Sequence, residues 1–368
     1  MKALKFGFIF SFLTLLAMVF VNCSKVEEEV PAGINSLSAW NPPQGALVAG
    51  GITMGDAWGP AYYLASPINL TTNGGWTDSV TVSRDGASLY FAYSKRDGEQ
   101  YLYNNGNVVV NGPARTSDNT SIYLQIFKAD IGPNGYTISL SGANPSNAVD
   151  VAAEAVNSAQ DLMAYTVYPS GSPQQIKLAQ LTNGTWSQLG AMAAPVNGPA
   201  GNCKDDNPFL IGNIASGTIY WQSLRNDLPG TDCSNQNHLI HIYSAIVTNG
   251  SMSSAQQVPG LYTATSKDYE ASFSEDKSKA YWTRVDAPNF GLYTADWNGA
   301  SYANVRPIVS INNFSAPYDN RIVDVGEANV VELAQGSILF FRCVVALSTT
   351  SGNPSGRQLR ICFSKKAK

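Results

Sequence analysis

Eight carboxylates stand at comparable points of an otherwise weakly charged chain: Asp78, Asp150, Asp205, Asp206, Asp268, Glu270, Asp324 and Glu327. Each precedes or opens a short apolar stretch. Arg96, Arg225, Arg284 and Arg321 fall on the same side of those stretches, together with Trp76, Tyr269 and Tyr318. Two carboxylates facing each other across a gap can hydrolyse a glycosidic bond, one as acid and the other as base or nucleophile. Asp residues at such points also have a plainer use, bonding nearby backbone N–H groups to order a loop. The plainer use carries more weight, since no GxSxG, HExxH, P-loop or GxGxxG pattern accompanies the acids.

Other donor sets are thinner. Cys203-Lys204-Asp205-Asp206-Asn207, with Asp227 and Asp232, offers the hard oxygens that calcium takes, without the spacing of a calcium loop. Beyond Cys23 there are four cysteines: Cys203, Cys233, Cys343 and Cys362. With no CxxC and no His beside any of them, zinc fits poorly. No cofactor is therefore expected, calcium being the one candidate. Four cysteines allow three disulfide pairings, and nearness in sequence favours Cys203–Cys233 and Cys343–Cys362.

A repeat positions these residues. VTVSRDGASLYFAYS (80–94), AEAVNSAQDLMAYTV (153–167), PFLIGNIASGTIYWQS (208–223), ASFSEDKSKAYWTR (271–284) and NVVELAQGSILFFRC (329–343) each read as apolar strand, polar turn and second strand. Registered on Tyr90-Phe91, Met163-Ala164, Tyr220-Trp221, Tyr281-Trp282 and Phe340-Phe341, they are spaced by 73, 57, 61 and 59 residues. An alternating third strand follows each copy, and four copies add a fourth at 137–140, 185–190, 255–260 and 303–308. That is the length of a four-stranded propeller blade, so the expected fold is all-β, a five-bladed β-propeller. The last copy lacks a fourth strand. AYYLASPINL (61–70) is spare at the other end and is expected to pair with 358–363, which closes the ring and hides its edges. The long loops 95–121, 224–237 and 347–356 then share a face with the acids. On that face the candidate binding residues are Trp76, Asp78, Asp206, Arg225, Asp268, Tyr269, Glu270, Arg284, Tyr318 and Arg321.

Ser83-Arg84-Asp85-Gly86 and Ser274-Glu275-Asp276, each followed by a Tyr-aromatic strand, resemble the Ser-Pro-Asp-Gly turn of TolB-type (WD40-like) propeller repeats, without its Pro. The turn is partly similar to the Asp-box of sialidases as well. That pattern has one residue between Asp and Gly, whereas Asp85 and Gly86 are adjacent. The TolB resemblance implies the propeller fold and fixes no activity.

At the N-terminus Lys2 and Lys5 precede an apolar run from Phe6 to Val21, long enough for a signal peptide and short for a spanning helix. The run stops at Asn22-Cys23-Ser24, which resembles a lipobox with Phe20 and Asn22 in place of the usual Leu and small residue. The resemblance implies a bacterial lipoprotein. Residues 1–22 would be removed as signal peptide, and Cys23 would carry the acyl (palmitate-type) chains. Residues 23–60 would be tether or linker, with an axial cap as the alternative for 31–60, and 61–368 the propeller. Ser24 rather than Asp implies passage to the outer membrane, facing the periplasm or the exterior.

Charged residues make up 14% of the chain, against roughly 25% in an average soluble domain. The formal net charge is -4, and loss of Lys2 and Lys5 makes the balance more acidic. The only cationic cluster is Lys365, Lys366 and Lys368, which leaves no phosphate-neutralising face for nucleic acid. These readings converge on a monomeric, membrane-anchored propeller that binds a protein or glycan through its loop-rich face without catalysis. A glycan-acting hydrolase of the five-bladed type is the competing reading, and a periplasmic assembly scaffold a third.

Overall fold

The inner hairpin of each repeat is set by its turn. The Asp85 carboxylate accepts from the Ser83 hydroxyl (2.7 Å) and the Ala87 N–H (2.9 Å), while Ser88 N–H bonds the Ser83 oxygen (2.9 Å). Ser274, Asp276 and Lys279 repeat this arrangement. Two copies without the motif use asparagine instead. Asn157 Oδ1 accepts from Asp161 and Leu162 N–H, and Asn213 Oδ1 from Ala215 and Ser216 N–H. Turn chemistry visible in two repeats thus operates in four.

The computed structural model describes residues 33–34, 36–42, 44–47, 51–64, 76–94, 124–148, 150–168, 174–198, 203–225, 239–286, 289–312, 321–346 and 357–368. The chain begins with three short strands, β1 (Gln44–Leu47), β2 (Ile52–Met54) and β3 (Tyr62–Leu64). Blade I is β4 (Trp76–Val82), β5 (Ser88–Ser94), β6 (Gln125–Ile131) and β7 (Thr137–Gly142). Blade II is β8 (Val151–Val156), β9 (Leu162–Val167), β10 (Gln175–Thr182) and β11 (Thr185–Ala191). Blade III is β12 (Asp206–Gly212), β13 (Ser216–Ser223) and β14 (His241–Thr248), with its outer strand broken into β15 (Ser251–Met252) and β16 (Gln256–Gln257). Blade IV is β17 (Lys267–Phe273), β18 (Lys279–Asp286), β19 (Asn289–Trp297) and β20 (Tyr302–Ile311). Blade V is β21 (Arg321–Leu333), β22 (Gly336–Ala346) and β23 (Arg357–Ala367). Each blade is an antiparallel meander, and the five sheets form the expected five-bladed β-propeller. Because neighbouring strands run in opposite senses, the first and third turns of every blade share one face, the turn face. Trp297 N–H accordingly bonds the Ser278 carbonyl, and Gly250 N–H that of Ile214.

The core lies between blades. Phe91, Tyr165, Trp221, Trp282 and Phe341 occupy one equivalent position of the second strands, and none is more than 1% exposed. Burying one large apolar side chain contributes about 1.5–3 kcal/mol. Blade II corrects the sequence register by one residue. Its equivalent pair is Ala164-Tyr165, not Met163-Ala164. β9 is buried along its first five residues, so its pattern carries no alternation to read.

The ring closes where expected, on fewer residues. Tyr63 pairs with Cys362 and Tyr62 with Phe363. Residues 65–70 lie outside the described residues. Described residues ahead of β3 also join the blades. β1 extends blade V beyond β3, and β2 pairs with β20 as a fifth strand of blade IV. Before them, Ile34 N–H bonds the Asp85 carbonyl and Asn41 N–H the Asn134 carbonyl, both in blade I. Trp40 is 1% exposed, edge-on to Phe340 (5.5 Å) and Phe363 (4.9 Å). This strap therefore stitches blades I, V and IV together. Gly86 permits it: its φ is +70°, and a Cβ there would stand 2.5 Å from Ile34 Cδ1. The Cys343–Cys362 disulfide joins β22 to β23 inside the core between blades IV and V. Cys203 is also disulfide-bonded. Its expected partner, Cys233, lies outside the described residues.

Candidate axial site

One irregularity recurs in all five inner strands. Ser79, Ala153, Asn207, Glu270 and Glu327 have φ between 46° and 54°. At each of them the register with the second strand slips. An extra residue of this kind is a β-bulge, which bends the strand and re-aims its amides and side chains. A non-glycine residue in that conformation costs about 1–3 kcal/mol, so partners must hold it there.

The partners are the other bulges. Ala153 N–H bonds Ser79 Oγ (3.0 Å). Ser79 N–H and Oγ–H donate to the two Glu327 oxygens (2.5 and 3.0 Å). Glu327 N–H donates to Glu270 Oε2 (3.2 Å), and Glu270 N–H to Gln222 Oε1 (3.1 Å). Gln222 also accepts from Asn207 Nδ2 (3.0 Å), Asn207 N–H bonds Asp206 Oδ1 (2.8 Å), and Asp206 receives the Tyr168 hydroxyl (2.8 Å). Tyr168 follows β9, so the belt returns to blade II having passed through all five blades. A second tier runs beside it: Thr81 Oγ1 bonds the Glu154 carbonyl, Ser272 Oγ that of Ala328, and Asn329 Nδ2 that of Val80 (2.7 Å).

Arg342 is the cation of this belt. It occupies the β22 position opposite the bulge, where the other blades have Ala92, Thr166, Gln222 and Thr283. Its guanidinium lies 3.4 Å from Asp78, 3.7 Å from Glu270 and 3.6 Å from Asp324. Gly326 leaves the room: a Cβ there would stand 2.3 Å from both Arg342 Nη2 and Glu270 Oε2.

Acids outnumber this one guanidinium, and burial sets their protonation. Burial pushes the Glu270 carboxyl up to about 7, against the pull of Arg342 and the Thr283 hydroxyl. Glu327 is pushed well above the carboxylate range by burial, reinforced by the Asp78 and Glu270 charges. Asp206 and Asp324 shift upward, again chiefly by burial. Glu154, 3% exposed, is raised well above its ordinary value by burial. Arg342 is held firmly charged, the acids around it outweighing its own burial.

The space along the axis is uneven. At the belt it is about 30 Å³, room for a water or two. Toward the turn face it widens to about 390 Å³, lined among others by Thr81, Asn157, Phe209, Ser272, Tyr281 and Asn329. A guanidinium thus occupies the place between carboxylates that a glycosidase reserves for a sugar and a water.

Of the expected face, Asp78, Asp206 and Glu270 meet at the axis. Asp268, Arg284 and Arg225 do not. Asp268 is fully buried and accepts from Arg284 Nε (2.6 Å), Trp282 Nε1 (3.0 Å) and Ser266 Oγ (2.9 Å). Arg284 caps the Leu261 carbonyl (2.7 Å) and lies over Trp282 and Tyr293. Arg225 repeats this in blade III with Asp205, Trp221, Tyr243 and the Val196 carbonyl. These three are internal braces of blades III and IV. Tyr269 packs on the core between blades IV and V, and Arg321 opens β21. Trp76 opens β4, its side chain outside the described residues, as is Tyr318. The calcium expectation meets Asp205 already held by Arg225, Trp221 and Gly198 N–H. Among the described residues no group of three or more His, Cys, Asp or Glu could hold a metal. Arg342, Glu154 and Tyr168 escaped the sequence reading. One signal was available, since Arg342 is the lone charge in the apolar run Ile338 to Ala346 and must find anions there.

No protein-family model and no curated protein matches the chain. In solved structures it is similar to TolB from Acinetobacter baumannii, at 10% identity, TM-score 0.35, covering 79% of this chain and 54% of that one. The chain thus spans about half the length of that TolB. It is also similar to Zg3597, a family 117 glycoside hydrolase of the marine bacterium Zobellia galactanivorans, at 13% identity and TM-score 0.47, covering 83% and 89%. A GH62 hydrolase in complex with xylotriose shares 8% identity at TM-score 0.43, covering 91% and 98%. The neighbours thus include both TolB-type proteins and glycoside hydrolases, at identities too low to favour either.

Proposed function

We propose that this chain is an exported, lipid-anchored propeller that binds a protein or glycan ligand without converting it. In this reading Cys23 carries the acyl chains, the mature chain sits on the outer membrane as a monomer, and the loop-rich face meets the ligand. One observation carries the non-catalytic part. The axial acids Asp78, Glu270 and Asp324 are tied to Arg342, and the belt beside them encloses only about 30 Å³, so these acids do not flank a sugar-sized gap. The test is a panel of aryl glycosides and an immobilised glycan and protein array, run on the wild type and on Asp78→Asn and Glu270→Gln. Binding without turnover, retained in both variants, is the expected result. Turnover lost in Glu270→Gln would replace this reading with the hydrolase.

The hydrolase reading has one observation of its own. Glu270, held near 7 beside the Asp78 carboxylate, has the protonation expected of a general acid. Surface proteolysis of intact cells separates exterior display from a periplasmic scaffold.

A further inference from the structure

We propose that the turn face of the propeller lies against the membrane bearing the lipid anchor, with the loop-rich face turned away from it. The proposal rests on the reading of Cys23 as the acylated residue. The described chain begins at Gly33 and Ile34, already on the turn face, under the Asp85-Gly86 turn of blade I. Gly33 lies ten residues beyond Cys23. Fully extended that stretch reaches at most ~36 Å, and as a flexible coil ~17 Å. Strands of about seven residues make the disc roughly 23 Å thick. Bringing the loop-rich face to the bilayer would require the tether to climb the roughly 23 Å rim, beyond the ~17 Å it spans as a coil. With the turn face down, the tether needs no stretching.

The chemistry of that face agrees. Large apolar side chains are exposed at its turn tips: Tyr136 (54%), Ile214 (43%) and Trp297 (41%). Tyr and Trp, each an apolar ring with a polar end, favour the headgroup layer. Arg84 is exposed on the first turn of blade I. Lys368 also ends there, its N–H on the Gln335 carbonyl beside the first turn of blade V. The same turns carry the exposed acids Asp85, Asp161, Glu275 and Asp276, so the apolar tips and not net charge favour the contact.

Amide hydrogen exchange tests the orientation. The acylated full chain on vesicles of phosphatidylethanolamine and phosphatidylglycerol is compared with Cys23→Ala in solution, the acyl mass on Cys23 being read in the same sample. The expected result is loss of exchange at 132–136, 213–215, 249–250 and 298–301, with 261–266 on the other face unchanged. An acylated protein protected at 261–266 instead, or on neither face, overturns the orientation alone. A missing acyl mass overturns the anchored reading and the orientation with it.

Discussion

Asp268 and Asp78 sit near the starts of equivalent strands, and each faces an arginine, yet the two environments differ. Asp268 and Arg284 form a matched pair: one anion, one permanent cation, further donors from Trp282 and Ser266, and the His241 ring 3.8 Å away. Asp205 and Arg225 do the same one blade earlier. Asp78 instead shares Arg342 with Glu270 and Asp324, while Glu327 lies behind them. Desolvation is met by a counter-charge in the first case and partly by protons in the second. Residue type does not separate brace from axial cluster. The number of anions per cation does.

That contrast can be broken at several points. The largest effect is expected from Asp268→Ala, which strands a buried guanidinium that cannot lose its proton. It should cost about 3–5 kcal/mol at any pH between about 5 and 8, measured by urea unfolding. Arg342→Met should cost about 3 kcal/mol above neutrality but much less near pH 5, because the abandoned carboxylates can take up protons. Equal costs at both pH values would show the axis to be an ordinary ion-pair network. In the unchanged protein Glu270 binds its proton more tightly folded than unfolded. Its contribution is complete below about 4.5 and is lost as pH rises toward about 7. Glu270→Gln should therefore flatten the decline of the urea midpoint across that window. Gly326→Ala should cost about 1–3 kcal/mol, since its methyl would collide with Arg342 and Glu270. The smallest change is Ser266→Ala, which removes one of the bonds to Asp268 and should cost about 1 kcal/mol.

The architecture was legible because strand, turn and aromatic positions repeat at a steady interval. Tyr62 and Tyr63 do pair with the last strand, and Cys343 with Cys362. The axial belt was not legible. Its bulges fall on Ser79, Ala153, Asn207, Glu270 and Glu327, four different residue types with no glycine among them to mark a positive φ. Nor was the strap, because Ile34 and Trp40 stand in a segment rich in Gly and Pro without alternation. The braces misled for a related reason: Asp205, Asp206 and Asp268 look alike in sequence, and only the register across each hairpin tells which faces the axis.

The pairing of Tyr62 and Tyr63 with Phe363 and Cys362 has a consequence for biogenesis. The first blade-completing strand leaves the ribosome some 300 residues before its neighbour, an interval of roughly 15–60 s at ordinary synthesis rates. Until the final few residues emerge, an open ring presents unpaired edges at both ends. A chain cut short by a dozen residues would lose the partner of its beginning as well as its end, so synthesis must be complete before the fold can be.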